Sequence, residues 1–342
     1  MRTSLFTAVL ITTCINLATA QQVVYKVKFF EDTAVVKATL TLNFKKLLSH
    51  VGKKGLIFPA TFTCSSSDNL SVNDNINVEV RGHFRRDECY IPPLKLIYKN
   101  NPRAAFYNFK SMKLVSVCQV TKQDEQNLLK EYLIYKIYNL ITDKSFRVRL
   151  LNLTYKDSSG AKKPITQYAF LLEDIKELAK RNECVDWTDQ KFKTEATNRE
   201  QMTIVSIFEY MIGNTDWSVP VNHNIKIIHS GSDSMTRPYV VPYDFDFSGL
   251  VGTTYSIPDE RLTITDVKQR LYRGFPRNEG EINKALDIFN KQKENIYAVI
   301  NNCNLLWPAN KKNMISYLED FYKTISVPGL RRQIFIMNAR TE

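Results

Sequence analysis

Two stretches decide how this sequence is read: Gly213-Asn214-Thr215-Asp216-Trp217-Ser218-Val219-Pro220-Val221-Asn222-His223-Asn224, and further on Tyr243-Asp244-Phe245-Asp246-Phe247-Ser248-Gly249. Upstream, Glu195 to Ile212 carries apolar residues at helical spacing, and Gly213 stands where a left-handed C-terminal cap belongs. Between the stretches, Ile225–Ile228 and Pro238–Pro242 read as short strands joined through Gly231. A helix therefore ends, a loop presents Asp and Asn, and a hairpin delivers two more carboxylates. Asn, Asp and Gly in loops are usually turn residues, and Asp-x-Asp can equally be a solvated strand edge. Two such clusters in this order, joined by one hairpin, point instead to a site.

Phosphoryl transfer asks for this set of side chains. It needs an Asp to orient or deprotonate the attacking hydroxyl, and oxygen ligands to hold Mg²⁺ or Mn²⁺ against the phosphates. Because Mg²⁺ keeps several waters, one Asn and one or two Asp suffice. Asp216 fits the first role, and Asn224, Asp244 and Asp246 fit the second. The usual kinase loop places its Asn about five positions after the Asp. Here Asn222 lies six and Asn224 eight positions on, so either could be the ligand.

Working outward, the N-terminal half is rich in strands. Ala38–Phe44 and Asn77–Val80 alternate with period two, and Leu94–Tyr98 and Lys113–Val117 are further short strands. Glu125–Ile141 then reads as a helix that Asp124 could cap. Phe146–Tyr155 and Tyr168–Leu172 return to strand, and Asp174–Arg181 is a short helix. Beyond Pro258, helices are expected over Thr265–Tyr272, Glu281–Asn301 and Lys311–Ile325. The organisation predicted is α+β: a β-rich N-terminal lobe over 21–172, including the helix 125–141, and a mainly helical lobe over 173–342 that carries the Asp/Asn site.

Residues 1–20 have the pattern of a secretory signal peptide. Arg2 provides the positive start, Leu5–Leu17 the apolar stretch, and Ala18-Thr19-Ala20 the small-residue cleavage pattern. Export to a periplasm, cell envelope or medium is expected, with no membrane span after cleavage. Of six cysteines, Cys14 leaves with the leader. The remaining five are too widely spaced for a disulfide scaffold or zinc site and suggest buried thiols with one bridge at most.

Composition excludes several alternatives. The chain has 11 glycines in 342 residues, well below the usual share of about 7%, and contains neither GxGxxG nor GxxxxGK[ST]. Any phosphate must then be held by side chains rather than by a glycine-rich backbone cradle. The net charge of +12 is spread along the chain without an aromatic-interleaved basic tract, so specific nucleic-acid recognition is not expected.

The sequence resembles the CotH-type kinases, an atypical branch of the protein-kinase-like fold, in its exported bacterial form. The likeness runs over about 80–249, through Arg81-Gly82, Pro93-Leu94-Lys95-Leu96, Lys113 ahead of the helix with Glu131, Phe170-Leu171-Leu172-Glu173, the Asp216 loop and Asp244-Phe245-Asp246. It implies a two-lobed kinase-like fold clasping ATP, with Mg²⁺ and a protein or other hydroxyl acceptor. Lys113 and Glu131, 18 positions apart, would be the phosphate-positioning pair, with Lys95 the competing lysine. Glu173 would sit at the hinge near adenine, and Arg81 with Arg85 and Arg86 would cover the phosphates. The Asp–Asn spacing and the N-terminal β segment, Val23 to about Ser71, depart from the family pattern. Two rival functions remain: a basic binding protein of the envelope, including a kinase-like chain without catalysis, and a haloacid-dehalogenase-like phosphatase with Asp244 as nucleophile and Asp246 as acid/base.

Overall fold

A computed structural model describes residues 29–31, 34–50, 55–65, 71–82, 89–98, 109–233 and 235–340. The expected leader, Arg85 and Arg86 lie outside the described residues. Seven strands form one closed barrel: β1 (Val36–Leu42), β2 (Ile57–Ser65), β3 (Ser71–Val80), β4 (Leu94–Tyr98), β5 (Ser111–Ser116), β6 (Val148–Asp157) and β7 (Ile165–Leu172). Their order is β1-β2-β3-β4-β5-β7-β6, and β1 closes the ring by pairing parallel with β6, Leu40 opposite Tyr155. Period-two alternation turns Leu40, Phe62, Val78, Leu96, Leu114 and Leu153 into the barrel core.

This barrel corrects the two-lobed kinase-like fold expected from the sequence. The atypical N-terminal segment supplies β1 and β2, which cover both free edges of what would otherwise be an open sheet. In β6 and β7 the apolar runs are nearly continuous because both faces are covered. Leu151, Leu153, Ala169 and Leu171 face the barrel, while Leu150, Phe170 and Leu172 join the helical core.

Helix α1 (Phe44–Leu48) is a short turn after β1, and helix α2 (Lys122–Ile141) lies against β6, β7 and the later helix α5 (Glu279–Asn301). Because α2 is covered nearly all round, its sequence has little amphipathic contrast. Its cap is Thr121, which accepts from Asp124 N at 3.1 Å, so the polar first turn extends the helix beyond the expected Asp124 start. Next come α3 (Ile175–Arg181), capped by Asp174, β8 (Cys184–Asp186) and α4 (Arg199–Ile212). Strands β9 (Ile225–Ser230) and β10 (Tyr239–Pro242) complete a three-stranded antiparallel sheet of order β10-β9-β8. Helices α6 (Pro308–Ser326) and α7 (Pro328–Arg332) follow, and a π-helical turn (Gln333–Met337) continues from α7.

The expected helix over Thr265–Tyr272 is absent. Gln269 Oε1 takes the Thr265 amide at 2.8 Å, and Asp266 Oδ1 takes that of Lys268 at 2.8 Å, so side chains replace helical backbone partners. Cys89 and Cys118 form a disulfide that ties the β3–β4 connection to the segment before α2, while Cys64, Cys184 and Cys303 are free thiols. Among the described residues, no helix is long and apolar enough to cross a membrane.

Candidate active site

Gly213 ends α4 in the left-handed region (φ 68°) and turns the chain into the Asp216 loop. The loop is held from several sides. Asn214 Oδ1 accepts from Asp216 N at 3.0 Å, Arg273 donates to the carbonyls of Thr215 and Trp217, and a bridge between Ser218 and His223 closes the turn beyond. Below it, Glu209 on α4 is fully buried, which pushes its carboxyl up to about 8; Asn214 beside it offsets part of the rise. The Asp216 carboxylate itself is about a third exposed. Its Oδ1 lies 2.7 Å from His223 Nε2, and its Oδ2 accepts from Asn224 Nδ2 at 2.9 Å.

The two asparagines part company here. Asn222 spends its amide on the carbonyls of Thr188 and Gln190, at 2.7 and 3.2 Å, facing away from Asp216. Asn224 donates to both the carboxylate and the carbonyl of Asp216. Its own carbonyl accepts from Tyr243 N at 3.0 Å, which brings Asp244 to the same edge. Asp244 N in turn donates to Tyr135 Oη at 2.8 Å, and burial, then the charge of Glu131 one turn earlier on α2, raises the Tyr135 hydroxyl's pKa. Only four non-glycine residues among those described have φ in the left-handed region, and Asn222, Asn224 and Asp244 are three of them. Each such residue costs on the order of 1 kcal/mol, and strain gathered in this way marks working sites more often than scaffolding.

Lys113 reaches this edge from the barrel. It is half-buried on β5, with its Nζ 4.1 Å from the centroid of the Tyr243 ring. Lys226, on β9 two residues after Asn224, approaches the same ring at 5.5 Å. Burial, and then the charges of Arg81 and Lys226, lower the Lys113 pKa to about 7, against the opposing pull of Asp244 and Asp174. Two lysines thus share the Tyr243 ring, with Arg81 near enough to act on both Lys113 and the Tyr243 hydroxyl, and with Asp244 and Asp174 as the neighbouring carboxylates. Lys226 was not foreseen, because a single outward lysine on a strand reads as solvated; its nearness to Asn224 was the available signal. His223 and Tyr243 stood inside the two deciding stretches without being given a role, and Arg273 lay outside both.

The other expected residues are placed as follows. Lys95 pairs across the barrel wall with Lys113 on one side and Glu79 on the other, so it neighbours the cation cluster. Arg81 N donates to Pro93 O at 2.9 Å, just ahead of the left-handed Gly82. Glu173 is buried and committed elsewhere: it accepts from Arg181 Nε at 3.0 Å and from the Arg147 amide at 3.1 Å, pinning α3 to the barrel. Asp246 is buried and accepts from Tyr255 Oη at 2.8 Å, whereas the Asp244 amide is tied to Tyr135.

Among the described residues, no three His, Cys, Asp or Glu side chains converge into a protein-only metal cage. Asn224 and Asp244, brought to one edge by the Tyr243 N–Asn224 O bond, are ligand types that suit an ion taking one or two protein ligands and filling its shell with phosphate and water. On the far side of Asp216 opens a cleft of about 950 Å³, lined among others by His223, Phe247, Arg261, Arg273 and Arg340. No family model matches the chain, and no curated protein is significantly similar to it.

Proposed function

We propose that this chain is an exported phosphotransferase that uses ATP with Mg²⁺ or Mn²⁺ to phosphorylate a hydroxyl acceptor. The observation that carries the reading is the unbroken run of contacts from Asp216 through Asn224 and Tyr243 to Asp244, with Lys113, Arg81 and Lys226 gathered at its Asp244 end. The reading rests on this site rather than on the fold, since similar sites recur on unrelated scaffolds. The resemblance of the same residues to CotH-type kinases supports it, and the Cys89–Cys118 disulfide supports export to an oxidising compartment.

In this reading the three cations neutralise the polyphosphate, taking the place of the glycine-rich loop that the sequence lacks. Binding the anion restores the proton that Lys113 loses above pH 7. Asn224 and Asp244 would hold the divalent ion, which would supply Lewis-acid stabilisation of the phosphate charge. Asp216, oriented by His223 and Asn224, accepts the acceptor hydroxyl's proton. The acceptor oxygen bonds to the γ-phosphorus as the bond to the ADP oxygen breaks. Tyr135, whose hydroxyl accepts from the Asp244 amide, holds Asp244 in place. The phosphatase reading finds less support: β10, which leads into Asp244, is an edge strand of an antiparallel sheet and not part of a parallel one.

Calorimetry tests the reading. Mg-ATP should bind the wild type, and Asp244→Ala should abolish that binding. Intact binding in Asp244→Ala would remove the ion assignment. No nucleotide binding by the wild type would leave the cation cluster to the rival binding-protein role.

A further inference from the structure

We infer that the cleft beside Asp216 takes an acidic polypeptide segment, whose hydroxyl residue is the acceptor. Its role as acceptor site rests on the phosphotransferase reading above; its preference for acidic chains rests on the cleft alone. Three guanidinium groups line the cleft, those of Arg261, Arg273 and Arg340, against the carboxylates of Asp259 and Asp216. Asp259 is paired with Arg261, and Asp216 with His223 and Asn224. Among the described residues, no carboxylate lies within ion-pair reach of Arg340, whose guanidinium sits 5.6 Å over the Phe275 ring. Burial and repulsion from the nearby Arg340 lower the Arg273 pKa, against the opposing pull of Asp216, Asp259 and Glu209. A cleft left with unbalanced positive charge suits an anionic occupant.

The rim points to a polypeptide rather than a small anion. Ile257 and Val221 are 75% and 67% exposed at its mouth, offering apolar contacts that a small polar anion would not use. At about 950 Å³ and open to solvent, the cleft lies at the upper end of small-molecule sites and has room for an extended segment. Arginine clusters beside apolar patches are a recurring way to read acidic motifs.

The test is fluorescence anisotropy on the full chain without nucleotide, so that it stands apart from ATP binding. The probe is a labelled glutamate-rich peptide with alanine at its centre in place of serine, compared with the same peptide carrying lysine for glutamate. The glutamate peptide should bind, and the lysine peptide should not. Arg340→Glu should weaken binding about tenfold, and so should Arg261→Glu, whose side chain is 89% exposed and makes no core contact. Binding of the lysine peptide as tight as that of the glutamate peptide would overturn the inference, as would indifference to both variants. Glutamate-peptide binding in a chain that fails to bind Mg-ATP would retain the cleft's preference for acidic chains and remove only the phosphotransfer role.

Discussion

Replacing Lys113 by Met removes a charge that the folded protein holds at a cost. The fall of its pKa from 10.5 to about 7 bounds that cost at about 4–5 kcal/mol. Solvent that reaches the half-buried side chain and its neighbouring carboxylates reduces this to ~1–2 kcal/mol. The sign follows from linkage. The folded pKa is depressed, so the penalty is fully present below pH 7 and fades as pH rises toward 10.5, where the unfolded chain also loses the proton. Lys113→Met should therefore raise the melting temperature by about 2–3 °C at pH 6.5 for a chain of this size, and by much less at pH 9.5. It should also abolish the thermal protection that Mg-ATP gives the wild type. Circular dichroism melts at the two pH values, with and without Mg-ATP, make the comparison. An unchanged or lowered melting temperature at pH 6.5 would refute the view that the cation cluster is strained and waits for an anion.

Other perturbations separate working groups from structural ones. Arg181→Ala leaves the buried Glu173 carboxylate with the Arg147 amide and should cost about 3 kcal/mol in urea unfolding, with Mg-ATP affinity unchanged; a loss of affinity without loss of stability would return Glu173 to the nucleotide site. Asn224→Ala should slow transfer roughly a hundredfold, whereas Asn222→Ala should slow it little, since its amide serves Thr188 and Gln190; equal effects in a steady-state assay would contradict this division. Cys89→Ser opens a 29-residue loop and should cost about 3 kcal/mol, seen as a lower denaturation midpoint that reductant no longer changes.

The sequence was most readable where burial falls on one face. Leu94–Tyr98 is the strand expected, and Glu281–Asn301 the helix, lengthened by its Asn278/Glu281 capping box. The closure of the barrel was hidden, because it depends on β1 meeting β6 more than a hundred residues later, and alternation does not encode a partner. The false helix over Thr265–Tyr272 had suitable spacing, but Gln269 and Asp266 compete for the backbone amides. At the site, residue type and order offered Asp216, Asp244 and one of Asn222 or Asn224 as candidates, and the choice between the two asparagines needed their hydrogen-bond partners. Glu173 looked like a hinge residue because strand-to-helix position carries no record of Arg181. The cleft arginines come from residues 261, 273 and 340, too far apart in sequence to form a motif.

The central claim is that Asp216 serves the acceptor hydroxyl while Asp244 and the cations hold the nucleotide. Its most direct test is divalent-dependent ATP consumption by Asp216→Ala, measured beside Mg-ATP binding on the same preparation. The predicted result is wild-type binding with consumption reduced roughly a thousandfold. Consumption at the wild-type rate, with binding retained, would contradict the account.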